Sequence, residues 1–153
     1  MKKKIAILVL SVLLVVFIII LILTNQKEEK YENIYECEHK EEIADVTIST
    51  KYRLYYDNDN VLKVDFNRSY KGTTEKAINN IYSYRYIINE ESKLYDEYKG
   101  FSHKVNKDTK KEYNYTYKFD VSKLEQDFLT MFNVYNSLEE QKTYFSENEY
   151  NCK

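Results

Sequence analysis

The chain has 153 residues, 25 acidic and 23 basic, with a net charge of −2. That leaves room for one globular domain beside a leader, and it excludes the basic excess that nucleic-acid binding needs. Its aromatic content is mostly tyrosine, 17 Tyr and 7 Phe with no Trp, while two Gly and no Pro leave the turns to Asn, Asp, Ser and Lys and exclude a Gly-rich phosphate loop.

Residues 5–24, from Ile5 to Thr24, form an uncharged apolar run, which as a helix rising 1.5 Å per residue spans roughly 30 Å of hydrocarbon. The run is longer than the apolar region of a signal peptide, about 7 to 15 residues, and it ends without a small-x-small cleavage pattern. It is therefore read as a transmembrane signal anchor whose partner is the lipid bilayer. Lys2, Lys3 and Lys4 precede it and no basic excess follows, so the positive-inside rule keeps the N-terminus cytoplasmic and exports the rest. Without those three lysines, 20 basic residues face 25 acidic ones, an acidic remainder that stands off an anionic surface. The expected organisation is a cytoplasmic tip and anchor at 1–24, a short linker at 25–36 and an extracytoplasmic α+β domain at 37–153.

Cys37 and Cys152 bracket that domain. Export makes a disulfide between them the leading expectation. Two alternatives stay open: free or intermolecular thiols, and a thiol- or metal-dependent enzyme site using Cys37, His39 and His103, since Cys37 and His39 share one face of a strand. Cys-x-His is not a recognised zinc spacing and there is no Cys-x-x-Cys, so no metal, cofactor or catalytic residue is assigned.

From Ile43, the residues Val46, Ile48, Tyr52, Leu54 and Tyr56 alternate with polar ones, which predicts a long strand. A turn at 57–60 and a second strand with Leu62, Val64 and Phe66 inward complete a hairpin. Between Thr74 and Lys99, Ala77, Ile81, Tyr84, Ile88, Tyr95 and Tyr98 recur at helical spacing, and Lys99-Gly100 predicts the helix stop. A second hairpin follows, first Phe101, His103 and Val105, then Tyr113, Tyr115, Tyr117, Phe119 and Val121 on one face. Two capping boxes, Ser122 with Glu125 and Ser137 with Glu140, open helical stretches carrying Phe128, Met131 and Phe132, then Leu138, Gln141 and Phe145. The predicted fold is α+β: an antiparallel sheet of about four strands (β-β-α-β-β-α) with helices on one face, plus the N-terminal transmembrane helix.

The stretch Tyr98-Lys-Gly-Phe-Ser-His-Lys-Val105, the strand ending Lys118-Phe-Asp-Val-Ser-Lys-Leu124 and the order of elements from Ile43 to Tyr135 resemble the YehR-like small bacterial lipoproteins, a family of unknown function. The resemblance implies the fold and an envelope location. The chain departs from the family in lacking the lipidation cysteine after the leader, for which the apolar run substitutes.

His103 reads first as a packed histidine. Tyr113, Tyr115 and Tyr117 read first as core and second as a platform for a carbohydrate or peptide. The functional expectation is a membrane-anchored, non-enzymatic binding or interaction module of the bacterial cell envelope, with an envelope protein or such a ligand as partner and no nucleic acid.

Overall fold

The computed structural model describes residues 33–153. The run at 5–24 and its expected transmembrane helix lie outside the described residues, and among the described residues no helix is long and apolar enough to cross a membrane. The elements are β1 (Asn33–Ile43), β2 (Val46–Asp57), β3 (Asn60–Lys71), α1 (Glu75–Tyr95), β4 (Phe101–Thr109), β5 (Glu112–Asp120), a 3₁₀ turn (Val121–Lys123), α2 (Gln126–Thr130), α3 (Leu138–Glu147) and β6 (Asn151–Cys152). The strands form one antiparallel sheet in the order β4-β5-β3-β2-β1-β6.

This corrects the expected fold class, because the sheet has six strands rather than about four and dominates the described residues. The first added strand, β1, starts inside the segment read as linker. It was hidden because its inward positions are Tyr35, Cys37, His39 and Glu41, a mixture without apolar alternation, while Glu36, Glu38 and Lys40 face outward. Its register comes instead from the neighbouring strand: Glu36 pairs with Arg53, and Glu38 with Lys51 at 3.4 Å. The second added strand, β6, is two residues that pair with β1, where Cys37 stands opposite Cys152.

Those two cysteines form a disulfide. Glu36 and Lys153 exchange both backbone hydrogen bonds, at 3.2 and 2.9 Å, so the adjoining Cys37–Cys152 pair is a non-hydrogen-bonded one, the position where facing side chains approach most closely. The bridge spans 115 residues of sequence.

β2 follows its predicted alternation, with Val46, Ile48, Tyr52 and Leu54 buried. In β3 the buried residue at the start is Val61, not Leu62, since the register shifts between Tyr55 and Tyr56 and Leu62 becomes the extra residue of a bulge. Helix α1 begins as predicted, with Thr74 accepting a hydrogen bond from the Ala77 amide at 3.1 Å. It ends at Tyr95 rather than Lys99. Gly100, at φ +98°, opens β4 instead: its carbonyl accepts from the Asp120 amide at 2.7 Å, and an added Cβ would lie 2.8 Å from the Lys123 Cβ.

The first predicted capping box does not form. The Ser122 hydroxyl donates to Asp120 Oδ1 at 2.8 Å, and Lys123 binds the same carboxylate, so 121–123 turn tightly and α2 starts later, with no side-chain cap. The second box forms its N-cap half, Ser137 accepting from the Glu140 amide at 3.3 Å. Asp59, in the β2–β3 turn, anchors this end of α3 by accepting from the Ser137 hydroxyl and the Glu139 amide, at 2.8 and 3.0 Å.

The helical segments pack on the sheet face that carries Tyr52, Phe66, Tyr113 and Tyr117. Tyr113 donates to Asn89 Oδ1 at 2.7 Å, and Tyr52 donates to the Phe132 carbonyl at 2.9 Å. Ser92 spends its proton on the Ile88 carbonyl at 2.7 Å, so the Tyr117 hydroxyl, 2.8 Å away, is the donor between those two. Rings complete the contact, Phe66 lying 6.4 Å and Tyr117 5.6 Å from Phe132.

Candidate functional site

The two helical segments do not meet over the middle of the sheet. Between them lies a cleft of about 570 Å³, within the size range of small-molecule sites. Tyr84, Ile87, Glu91 and Tyr95 of α1 form one wall, and Met131, Asn133, Tyr144 and Tyr150 form the other. The floor follows from strand register. His39, Thr50, Arg68 and Tyr115 lie abreast on β1, β2, β3 and β5; the next row holds Glu41, Ile48, Tyr70 and Tyr113; on the other side stand Cys37, Tyr52, Phe66 and Tyr117.

Arg68 sits at the centre of this floor, on a strand with neighbours on both sides. A third of its side chain remains accessible, 34%, and it lines the cleft. Its ion-pair partner Glu41 stands 3.7 Å from Nη2, too long for a hydrogen bond. Its Nε is buried without a hydrogen-bond partner, and its guanidinium lies 5.7 Å from the Tyr70 ring. Burial opposes the charge, but Glu41 favours it, as do Tyr70 and Tyr115 once they ionise at alkaline pH, and the balance strengthens the cation.

Phenols surround that cation. Burial pushes the Tyr52 and Tyr115 hydroxyls well above their ordinary pKa, with Tyr150 adding to the shift of Tyr52 and Tyr70 to that of Tyr115, while Arg68 pulls both back down. Burial likewise raises Tyr70, Tyr117 and Tyr150. At neutral pH these hydroxyls are all protonated, so the floor offers neutral donors and acceptors around one positive charge.

Of the residues singled out by sequence, Tyr115 and Tyr117 line the cleft. Tyr113 is fully buried against Asn89. His103 lies on edge strand β4, where its Nδ1 meets Asp96 Oδ1 at 3.0 Å. His39 is at the cleft mouth, 5.2 Å from the Tyr150 ring. The strands carrying the two histidines are separated by β2, β3 and β5, and the Cys37 sulfur is in the disulfide, so the Cys37/His39/His103 constellation is not assembled. Among the described residues no three His, Cys, Asp or Glu side chains cluster as a metal site.

Sequence reading missed Arg68. The signal was present in period two: continuing inward from Val64 and Phe66 reaches Arg68 and Tyr70, and a charge at an inward position of a central strand is unusual.

No protein-family model matches this chain, and no curated protein does. A solved structure similar to it, the NMR structure of a protein from Streptococcus pneumoniae TIGR4, has 13% sequence identity and a TM-score of 0.48, over 83% of this chain and 89% of that one.

Proposed function

We propose that this protein is a non-catalytic binding module of a bacterial cell envelope, held at the bilayer by residues 5–24 with its folded domain outside the cytoplasm, and that it takes a small ligand in the cleft between α1 and the α2–α3 segment. The observation that carries the binding role is a cleft whose floor keeps a third of the Arg68 side chain accessible among buried tyrosines. A chain of this size gains by burying its charges in pairs or leaving them in bulk water, so an arginine kept accessible at the bottom of a largely aromatic cleft is a feature with a use. The apolar run, the lysines before it and the disulfide support the location. The resemblance to the YehR-like lipoproteins belongs to the same reading.

Hydrogen–deuterium exchange of the full-length protein tests the binding role, with a neutral sugar, a tripeptide and an aromatic carboxylate offered in turn. Saturable protection at 84–95 and 131–150 with at least one probe is expected; protection confined to the outer sheet face, or none with any probe, counts against it. Location is tested by protease added to whole cells, which should degrade the domain where no outer barrier intervenes.

A further inference from the structure

We propose that the ligand of this cleft is a small organic carboxylate, with its carboxylate on Arg68 and its apolar body along the wall that ends at Ile87 and Met131. This rests on the reading of the cleft as a binding site and specifies its ligand.

An arginine on the covered face of a sheet is stable when its charge is met by a carboxylate and its N–H groups by acceptors. Arg68 has neither in full: Glu41 stops at 3.7 Å and Nε is buried without a partner. The forked guanidinium favours a planar two-oxygen anion, and the neighbouring Tyr115 and Tyr150 hydroxyls, held protonated by burial, can donate to the same oxygens. Above them the chemistry changes. Ile87 is 50% and Met131 61% exposed, one on each wall, so a ligand anchored below meets apolar surface on its way out. Glu41 and Glu91 also line the cleft. Glu41 competes for Arg68, so the domain carries a weak internal stand-in for the carboxylate that a ligand would supply.

The test uses the full-length protein in a non-ionic detergent, with its disulfide intact and binding followed by NMR. The probes are 3-phenylpropionate, the neutral amide of the same shape, the cation phenethylamine and inorganic phosphate. The carboxylate is expected to bind about tenfold more tightly than the amide, the scale of a hydrogen-bonded charge, and more tightly than phosphate or phenethylamine. Arg68→Gln should level carboxylate and amide. Glu41→Gln should tighten the carboxylate about threefold by freeing the guanidinium, whereas a purely structural Arg68–Glu41 pair would leave affinity unchanged or lower. Should Arg68→Gln not fold, Arg68→Lys keeps the charge without the fork and should retain the preference at reduced affinity. Amide and carboxylate binding equally, phosphate binding as tightly as the carboxylate, or Glu41→Gln weakening the carboxylate each overturns the proposal. If the amide or amine shifts the cleft signals while the carboxylate holds no advantage, the binding role survives and only this ligand class fails; if no probe shifts them, both fail.

Discussion

At the scale of residues, the tyrosines of the cleft tie stability to pH on the alkaline side. An unfolded tyrosine titrates near pH 10, and Tyr52, Tyr115, Tyr117 and Tyr150 are all raised by burial. The folded state therefore holds more protons than the unfolded state above pH 10. Its stabilisation is complete below that pH and is lost as pH climbs toward the folded-state values. Absorbance of tyrosinate near 295 nm should show the cleft tyrosines ionising only as the protein unfolds, above pH 10. A single wave near pH 10 with the fold retained would contradict their burial. A second prediction concerns Gln141, fully buried, whose Oε1 accepts from the Tyr135 amide and whose Nε2 donates to the Asn133 carbonyl, both at 3.0 Å. Gln141→Leu keeps the volume and strands both backbone groups, so urea unfolding should report a loss of about 2 kcal/mol or more. Sequence placed Gln141 on the helix face but carried no sign of these bonds, because the residues it ties are off the helix.

At the scale of elements, β6 and the disulfide hold the C-terminal wall. The chain leaves α3 through Tyr150, whose amide donates to the Phe145 carbonyl at 3.0 Å and whose ring lies 5.6 Å from that of Tyr52, and it is locked to β1 two residues later. In the chain-entropy picture a bridge closing 115 residues contributes about 4 to 5 kcal/mol. Reduction, or Cys152→Ser, should lower the urea midpoint sharply and raise hydrogen exchange at 148–153 before α1. An unchanged midpoint would mean that β6 is held by other contacts. The elements legible in sequence were those with one clean period: β2, β5, the start of α1 and the N-cap of α3. β1 was not legible because its inward side mixes tyrosine, cysteine, histidine and glutamate. β6 was not because two residues carry no period at all, although its cysteine pointed to the right partner.

At the scale of the whole domain, a six-stranded sheet supports two helical walls, and the space between them is the site. Antiparallel sheets commonly have one face packed and one solvated. The outer face here follows that rule, with ion pairs such as Lys71–Glu112 at 3.3 Å and the hydrogen-bonded ladder of Asn67, Asn114 and Thr116. The inner face departs from it at one place, around Arg68. Composition and alternation announced a tyrosine-rich sheet, but a cleft is a property of where two helices stop, and α1 and α2 both end earlier than their periodicity suggests. The most direct measurement follows the Arg68 Nε–H resonance of the full-length protein while 3-phenylpropionate is added. Saturable movement together with the amides of Tyr115, Phe132 and Tyr150 is the expected result; a resonance that stays fixed while signals from Lys51 and Arg53 on the outer face move would contradict a binding cleft centred on Arg68.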